Sequence, residues 1–129
     1  MICANGEYVE SLSASYSKAT HGIGVKCSGL GGEQYFGSRA DNYADKIGWK
    51  NGKPPESDYK GIKAWYDKDF NGVGRLNIYE KNDEMHYVGR QTDQPEKDMN
   101  CDKGIITGVF GTTNGNLINT IGVRCSYKD

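Results

Sequence analysis

The chain has 129 residues, 16 Lys+Arg against 17 Asp+Glu, a net charge of −1 and a hydrophobic fraction of 36%. Charges of both signs are interspersed, which excludes the basic stripe of a nucleic-acid or anionic-membrane binder. No apolar run approaches the ~20 residues of a membrane-spanning helix, and the length fits one domain, residues 1–129.

Read in chain order, the sequence repeats itself. A first unit, about 1–34, opens on Cys3-Ala4-Asn5-Gly6 and closes on Gly22-Ile23-Gly24-Val25-Lys26-Cys27-Ser28, its two cysteines 24 positions apart. Tyr8, Leu12 and Ala14 suit one strand, and Ile23, Val25 and Cys27, alternating with Gly24 and Lys26, predict a second. A connector, 35–46, begins a further strand at Tyr35-Phe36-Gly37, and 14 positions separate Tyr35 from Trp49.

The middle unit, about 47–86, is an altered copy. Trp49-Lys50-Asn51-Gly52 has the form of the cysteine opening, with Trp49 standing where Cys3 stands and predicted to fill the space of a disulfide. The insertion Lys53-Pro54-Pro55-Glu56-Ser57 reads as a surface loop. Tyr59, Ile62 and Ala64 predict a strand, and Asn71-Gly72-Val73-Gly74-Arg75-Leu76-Asn77 aligns with His21 to Cys27, putting Asn77 in the cysteine position. A connector, 87–98, starts at Tyr87-Val88-Gly89, brings Asp93 into register with Asp41, and leads from Tyr87 to Cys101 in the same 14 positions. The last unit, 99–129, opens on Cys101-Asp102-Lys103-Gly104, carries Ile106 and Val109, and closes on Ile121-Gly122-Val123-Arg124-Cys125-Ser126, again with 24 positions between cysteines. Met1, Ile47 and Met99 fall in register, which predicts core positions.

The 18 glycines are spread through the repeats, where they would break helices. Short alternating strands in three units of ~45–50 residues predict an all-β domain with approximate threefold symmetry, each unit supplying one sheet around a common core. A β-trefoil, with the units sharing one barrel, is the alternative. Three openings but only two connectors imply that the circle closes where the termini meet.

Four cysteines allow three connectivities, of which the repeat favours Cys3–Cys27 with Cys101–Cys125. The middle copy lacks both positions together, as a pair bonded within each unit requires. Each bridge contributes ~2–4 kcal/mol, and paired cysteines suggest secretion into an oxidising compartment. Four reduced cysteines in the cytosol are the alternative. Zinc is disfavoured, because no C-x-x-C occurs and no cysteine has a matched histidine. No secretory leader heads the sequence as it stands, so export implies one already removed.

Chemistry-bearing motifs are few. Asp67-x-Asp69-x-Asn71-Gly72 matches the first half of a calcium loop, but Ile78 stands where the bidentate Glu belongs, so no metal site is assigned. The two histidines, His21 and His86, belong to no G-x-S-x-G, H-E-x-x-H or P-loop. Asp83, Glu84 and His86 read as a charged hairpin turn, and no enzyme or cofactor is expected. Trp65, Tyr66 and Phe70 surround the middle turn, as sugar-stacking rings or as core or strand packing.

The segment Gly115-Asn116-Leu117-Ile118-Asn119-Thr120-Ile121-Gly122 resembles the G-x-x-x-D-x-I-G turn of jacalin-related lectins, which have the β-prism I fold. The frame Cys101-x-x-Gly104 with Ile106 and Gly108, closing on Ile121-Gly122-Val123-x-Cys125, is similar to the repeats of vitelline membrane outer layer protein I, a secreted three-sheet prism. Together the resemblances imply a β-prism I domain with sugar bound at one end. In the lectins the turn aspartate accepts hydrogen bonds from two sugar hydroxyls beside a Gly-rich loop. The key position falls on His21, Asn71 and Asn119, and the position four residues earlier on Ser17, Asp67 and Gly115. Gly31-Gly32-Glu33 looks like the companion loop. No copy carries the aspartate. Asn offers an acceptor and a donor instead, and it also suits left-handed turns. The resemblance implies a secreted, non-catalytic lectin binding glycans or glycoproteins through Gly115, Asn116, Asn119, Asp67, Asn71, His21, Gly31 and Gly32, without nucleic acid or membrane insertion. The alternative is a structural or defence protein of an extracellular matrix or egg coat, or a secreted toxin or inhibitor.

Overall fold

The computed structural model describes residues 3, 6–29, 31–39, 42–53, 59–69, 71–89, 96–115 and 117–127. Met1, Phe70, Asn116, Asp41, Asp93 and residues 54–57 of the proline insertion, singled out above, lie outside them. The strands are β1 (Val9–Tyr16), β2 (Thr20–Cys27), β3 (Gln34–Gly37), β4 (Asn42–Ala44), β5 (Tyr59–Asp67), β6 (Gly72–Glu80), β7 (Met85–Gly89), β8 (Glu96–Asn100), β9 (Gly104–Asn114) and β10 (Leu117–Tyr127). They form three antiparallel sheets, ordered β3-β2-β1-β4, β7-β6-β5-β8 and β10-β9. The fold is the all-β prism, with a separate sheet for each hairpin rather than the shared barrel of a trefoil. Both connectors turn out to carry edge strands: β3 and β4 flank the first hairpin, β7 and β8 the second.

The inward faces make one core. Leu12, Ala14, Ile23 and Val25 from the first sheet meet Ile62, Ala64, Leu76 and Ile78 from the second and Ile106, Val109, Ile118 and Ile121 from the third. Complete burial of one such Leu or Ile side chain is worth about 1.5–3 kcal/mol. Ile47 and Met99 are buried, as their register requires.

Each hairpin carries a bulge at the same place. Register skips Glu10 between Val9 and Ser11, Lys60 between Tyr59 and Gly61, and Thr107 between Ile106 and Gly108. A bulged residue loses its partner across the hairpin, and in all three its carbonyl accepts from the chain alongside. The donors are Trp49 Nε1 to Glu10 at 3.4 Å, Cys101 N to Lys60 at 2.7 Å and Cys3 N to Thr107 at 2.8 Å. Trp49 therefore occupies the cysteine position but caps a carbonyl of its own sheet. Cys3 docks on the last sheet, so the circle closes where the chain begins.

The disulfides cross the corners between sheets. Cys3, beside β9, bonds Cys27 on β2, and Cys101, beside β5, bonds Cys125 on β10, with Cα separations of 5.6 and 5.5 Å. Both fall within ordinary bridge geometry. The third corner has no sulfur. There the buried Tyr59 hydroxyl donates to the Ile47 carbonyl at 2.5 Å, and Lys50 Nζ reaches Glu84 Oε1 at 2.5 Å.

The alignment of the middle copy needs correction. Cys27 pairs with Val9, and the residue paired with the equivalent Tyr59 is Glu80, not Asn77, which faces Lys63. Two glycines fix the same offset. Gly37 (φ 89°) and Gly89 (φ 87°) leave no room for a Cβ, which would lie 2.2 Å from the His21 and Gly74 carbonyls respectively. His21 thus corresponds to Gly74, three residues beyond Asn71, because the second hairpin is longer around its turn.

Burial pushes the Tyr59 phenol well above the usual tyrosine range, and the Glu80 carboxylate adds to the shift. A folded-state rise means the contribution is intact below the unfolded value near 10 and is lost as pH climbs past it. We expect Tyr59→Phe to cost about 1–2 kcal/mol at neutral pH and to remove that part of the alkaline decline, as read by urea denaturation at pH 7 and pH 11. Replacing Cys3 and Cys27 together by Ser should cost about 3 kcal/mol in the same assay; a change below 1 kcal/mol would mean the corner holds without sulfur.

Candidate functional site

The second and third hairpin turns lie side by side. A Cβ on Gly72 would come within 2.8 Å of the Ile118 carbonyl, so the chain needs glycine there for the backbones to approach. Gly115 (φ 62°) makes the exposed β9–β10 turn. In the angle between these hairpins is a cavity of about 270 Å³ lined by Ala64, Tyr66, Val73, Lys97, Asn119, Thr120 and Ile121. Its floor is apolar, one wall is the Tyr66 ring (37% exposed), and its polar groups are Asn119, Thr120 and Lys97. The volume is close to the ~300 Å³ lower end of small-molecule pockets.

Local hydrogen bonds position these groups. Thr120 Oγ1 accepts from the Thr112 amide at 3.1 Å and meets Thr112 Oγ1 at 2.6 Å, pinning the strand next to Asn119. Lys97 Nζ donates to the Ile121 carbonyl at 3.4 Å. The Tyr66 hydroxyl donates to Asn71 Oδ1, which holds the ring beside the turn.

The residues expected at the site separate into three groups. Asn119 lines the cavity, with Gly115 at the neighbouring turn; Asn116 lies outside the described residues. Asp67 and Asn71 stand close by but hold their own turn. Asp67 Oδ1 accepts the Asp69 amide at 2.9 Å, and Asn71 has φ 52°, so turn chemistry accounts for both. His21 occupies Asn119's place in the first sheet, each six positions before its cysteine, and its Nε2 meets Ser17 Oγ at 2.7 Å. The three-residue offset removes the middle copy from that register. Gly31 and Gly32 are misplaced altogether. They follow β2 past Cys27, at the disulfide end of the sheet, and the Cys3 bridge puts that end beside Thr107 near the start of β9. Asn119 is at the far end of that hairpin, so these glycines cannot adjoin it.

Sequence reading offered Tyr66 only together with Trp65 and Phe70, and it missed Lys97 and Glu80. Trp65 does not enter the core: it alternates outward from Ala64, with Lys63 and Arg75 each 5.7 Å from its ring. Asp83 and Glu84 do lie in a charged turn, and His86 follows on β7. His86 Nε2 lies 2.6 Å from Glu80 Oε2, and Lys50 holds the Glu84 carboxyl below the usual carboxylate range. Among the described residues Glu80, Glu84 and His86 bring ligand-type atoms within 4.8 Å of one another. Both carboxylates are engaged in these pairs, and no metal is assigned.

No protein-family model and no curated protein sequence matches the chain. Solved structures do. Wild-type Malaysian banana lectin superposes with a TM-score of 0.74 at 18% identity, over 98% of this chain and 94% of that one. Frutapin, a lectin from Artocarpus incisa, gives 0.73 at 15% identity, over 97% and 85%. Lamprey immune protein gives 0.65 at 15% identity over 92% of this chain, which spans 38% of that longer one. These likenesses establish a shared fold.

Asn71 provides a test of its turn role. Asn71→Gly should leave stability within about 0.5 kcal/mol, since glycine accepts positive φ, whereas Asn71→Ala should cost about 1 kcal/mol, both by thermal denaturation. Equal losses would mean that the side chain, not the backbone conformation, is what the turn requires.

Proposed function

We propose that this is a secreted, non-catalytic carbohydrate-binding protein whose sugar lies in the cavity between the second and third hairpin turns. The observation that carries the reading is the placing of the Asn119 amide and the exposed Tyr66 ring on one small, apolar-floored cavity. A sugar presents hydroxyls at its edge and C–H groups on its faces. The primary amide offers an acceptor and donors to a hydroxyl pair, and the ring stacks on the apolar face at low entropic cost. Lys97 supplies a further donor from β8. Two structures sharing the fold are named as lectins, and the two disulfides accord with an oxidising compartment. The neutral amide in place of a carboxylate gives weaker acceptors, so the preferred sugar differs from that of a site built on aspartate.

A broad glycan array with the oxidised protein tests this reading: binding to a defined set of sugars is expected, and silence at every sugar would overturn it. For the best sugar, Asn119→Ala should weaken affinity at least tenfold, about 1.4 kcal/mol, with the melting temperature nearly unchanged. Tyr66→Ala should do the same, while Tyr66→Phe, which keeps the ring but loses its tether to Asn71, should weaken affinity less than Tyr66→Ala. Unchanged binding in Asn119→Ala would remove this cavity as the site.

A further inference from the structure

Among the described residues the third sheet has two strands where the others have four. In the first sheet β3 pairs with the outer edge of β2, Gly22 to Val25 facing Gly37 to Gln34; in the second, β7 covers β6, Arg75 facing Gly89 and Leu76 facing Val88. The equivalent edge of β10 pairs with no strand among the described residues. Beside it runs a groove of about 460 Å³, walled by Lys97 to Asn100 of β8 on one side and Thr120 to Val123 of β10 on the other. β8 is itself paired on one edge only, with β5. The Lys97 ammonium on the Ile121 carbonyl crosses the gap. By strand alternation the backbone groups of Ile121 and Val123 share that outward side. Such an edge is a template for pairing; Lys97 and Asp98 on the β8 wall and the exposed Arg124 on β10 are its charges, and no proline interrupts it.

The repeat says what fits. At the two equivalent places the chain supplies an antiparallel strand reading aromatic, apolar, glycine: Tyr35-Phe36-Gly37 and Tyr87-Val88-Gly89. In both the glycine has positive φ and passes against the neighbouring backbone. We propose that the β8–β10 groove is a strand acceptor, taking an extended peptide segment of this aromatic–apolar–glycine pattern antiparallel to β10 over Thr120 to Val123 and so extending the third sheet. Main-chain hydrogen bonds would supply the affinity and the alternate side chains the selectivity. The flexible Lys97 side chain gives up the Ile121 carbonyl to the incoming amide.

The test uses the intact oxidised chain and two synthetic peptides, one with the sequence of residues 32–38 and one with that of 84–90. In amide-resolved NMR titrations each peptide should shift the Ile121 and Val123 signals. At a concentration about ten times its dissociation constant it should slow their hydrogen exchange roughly tenfold. The first peptide with Gly37→Val, or with N-methyl groups on alternate amides, should lose this effect. No shift at millimolar peptide, shifts centred away from β10, or equal binding by the Val and N-methyl peptides would overturn the proposal. So would sedimentation as a dimer with the same amides already protected without peptide, since a second copy would then be the occupant.

Discussion

A three-sided core is open at its corners, and closing them is the constraint on which the rest of this structure depends. A sheet satisfies its backbone within itself, but nothing in sheet geometry holds one sheet edge against the next. Each hairpin bulges at one residue near its fastened end, and the freed carbonyl takes a donor from a segment running alongside. That segment belongs to one sheet while the chain continues into the following one. Two of the three segments carry cysteines and are bonded across the corner. The third carries Trp49, and its corner is held by the Tyr59 hydroxyl, the Lys50–Glu84 pair and packing.

This arrangement divides the molecule into a fastened end and a free end. The sulfur bridges, the bulges and the chain's docking on its last sheet lie at one end of the hairpins. The turns lie at the other, where lengths differ between units and where Gly72 lets two hairpins approach. The cavity with Asn119 and Tyr66 sits there, on rigid strands but beside turns that tolerate change. A binding site at that end can vary its residues without loosening the corners, which is the usual division between scaffold and site.

Much of the fold is legible in the sequence because the signals are local and repeated. Equal cysteine spacing gave the pairing, and alternation around Ile23 and Ile121 gave the inward faces. The aromatic–apolar–glycine strings marked edge strands, though reading them as connectors hid their place in the sheets. The middle copy was misaligned because Asn71-Gly72-Val73-Gly74 resembles the other closings, while the extra length sits around a turn that pattern matching slides across. Glu80 was invisible for the same reason, and because a buried carboxylate needs His86 from another strand to make sense. At the candidate site Asn119 was legible from its turn. Lys97 was not, since it reaches the cavity only through the meeting of two sheets. Gly31 and Gly32 looked right by composition, but strand direction carries them to the wrong end.

Native-state hydrogen exchange before and after gentle reduction addresses the corner account most directly. The amides of Cys3 and Cys101, bonded to the Thr107 and Lys60 carbonyls, and that of Ile47, bonded to Leu12, each report on one edge segment. If the corners are tied separately, reduction accelerates exchange at Cys3 and Cys101 while Ile47 stays protected. Equal loss at all three, or none at the two cysteines, would contradict it.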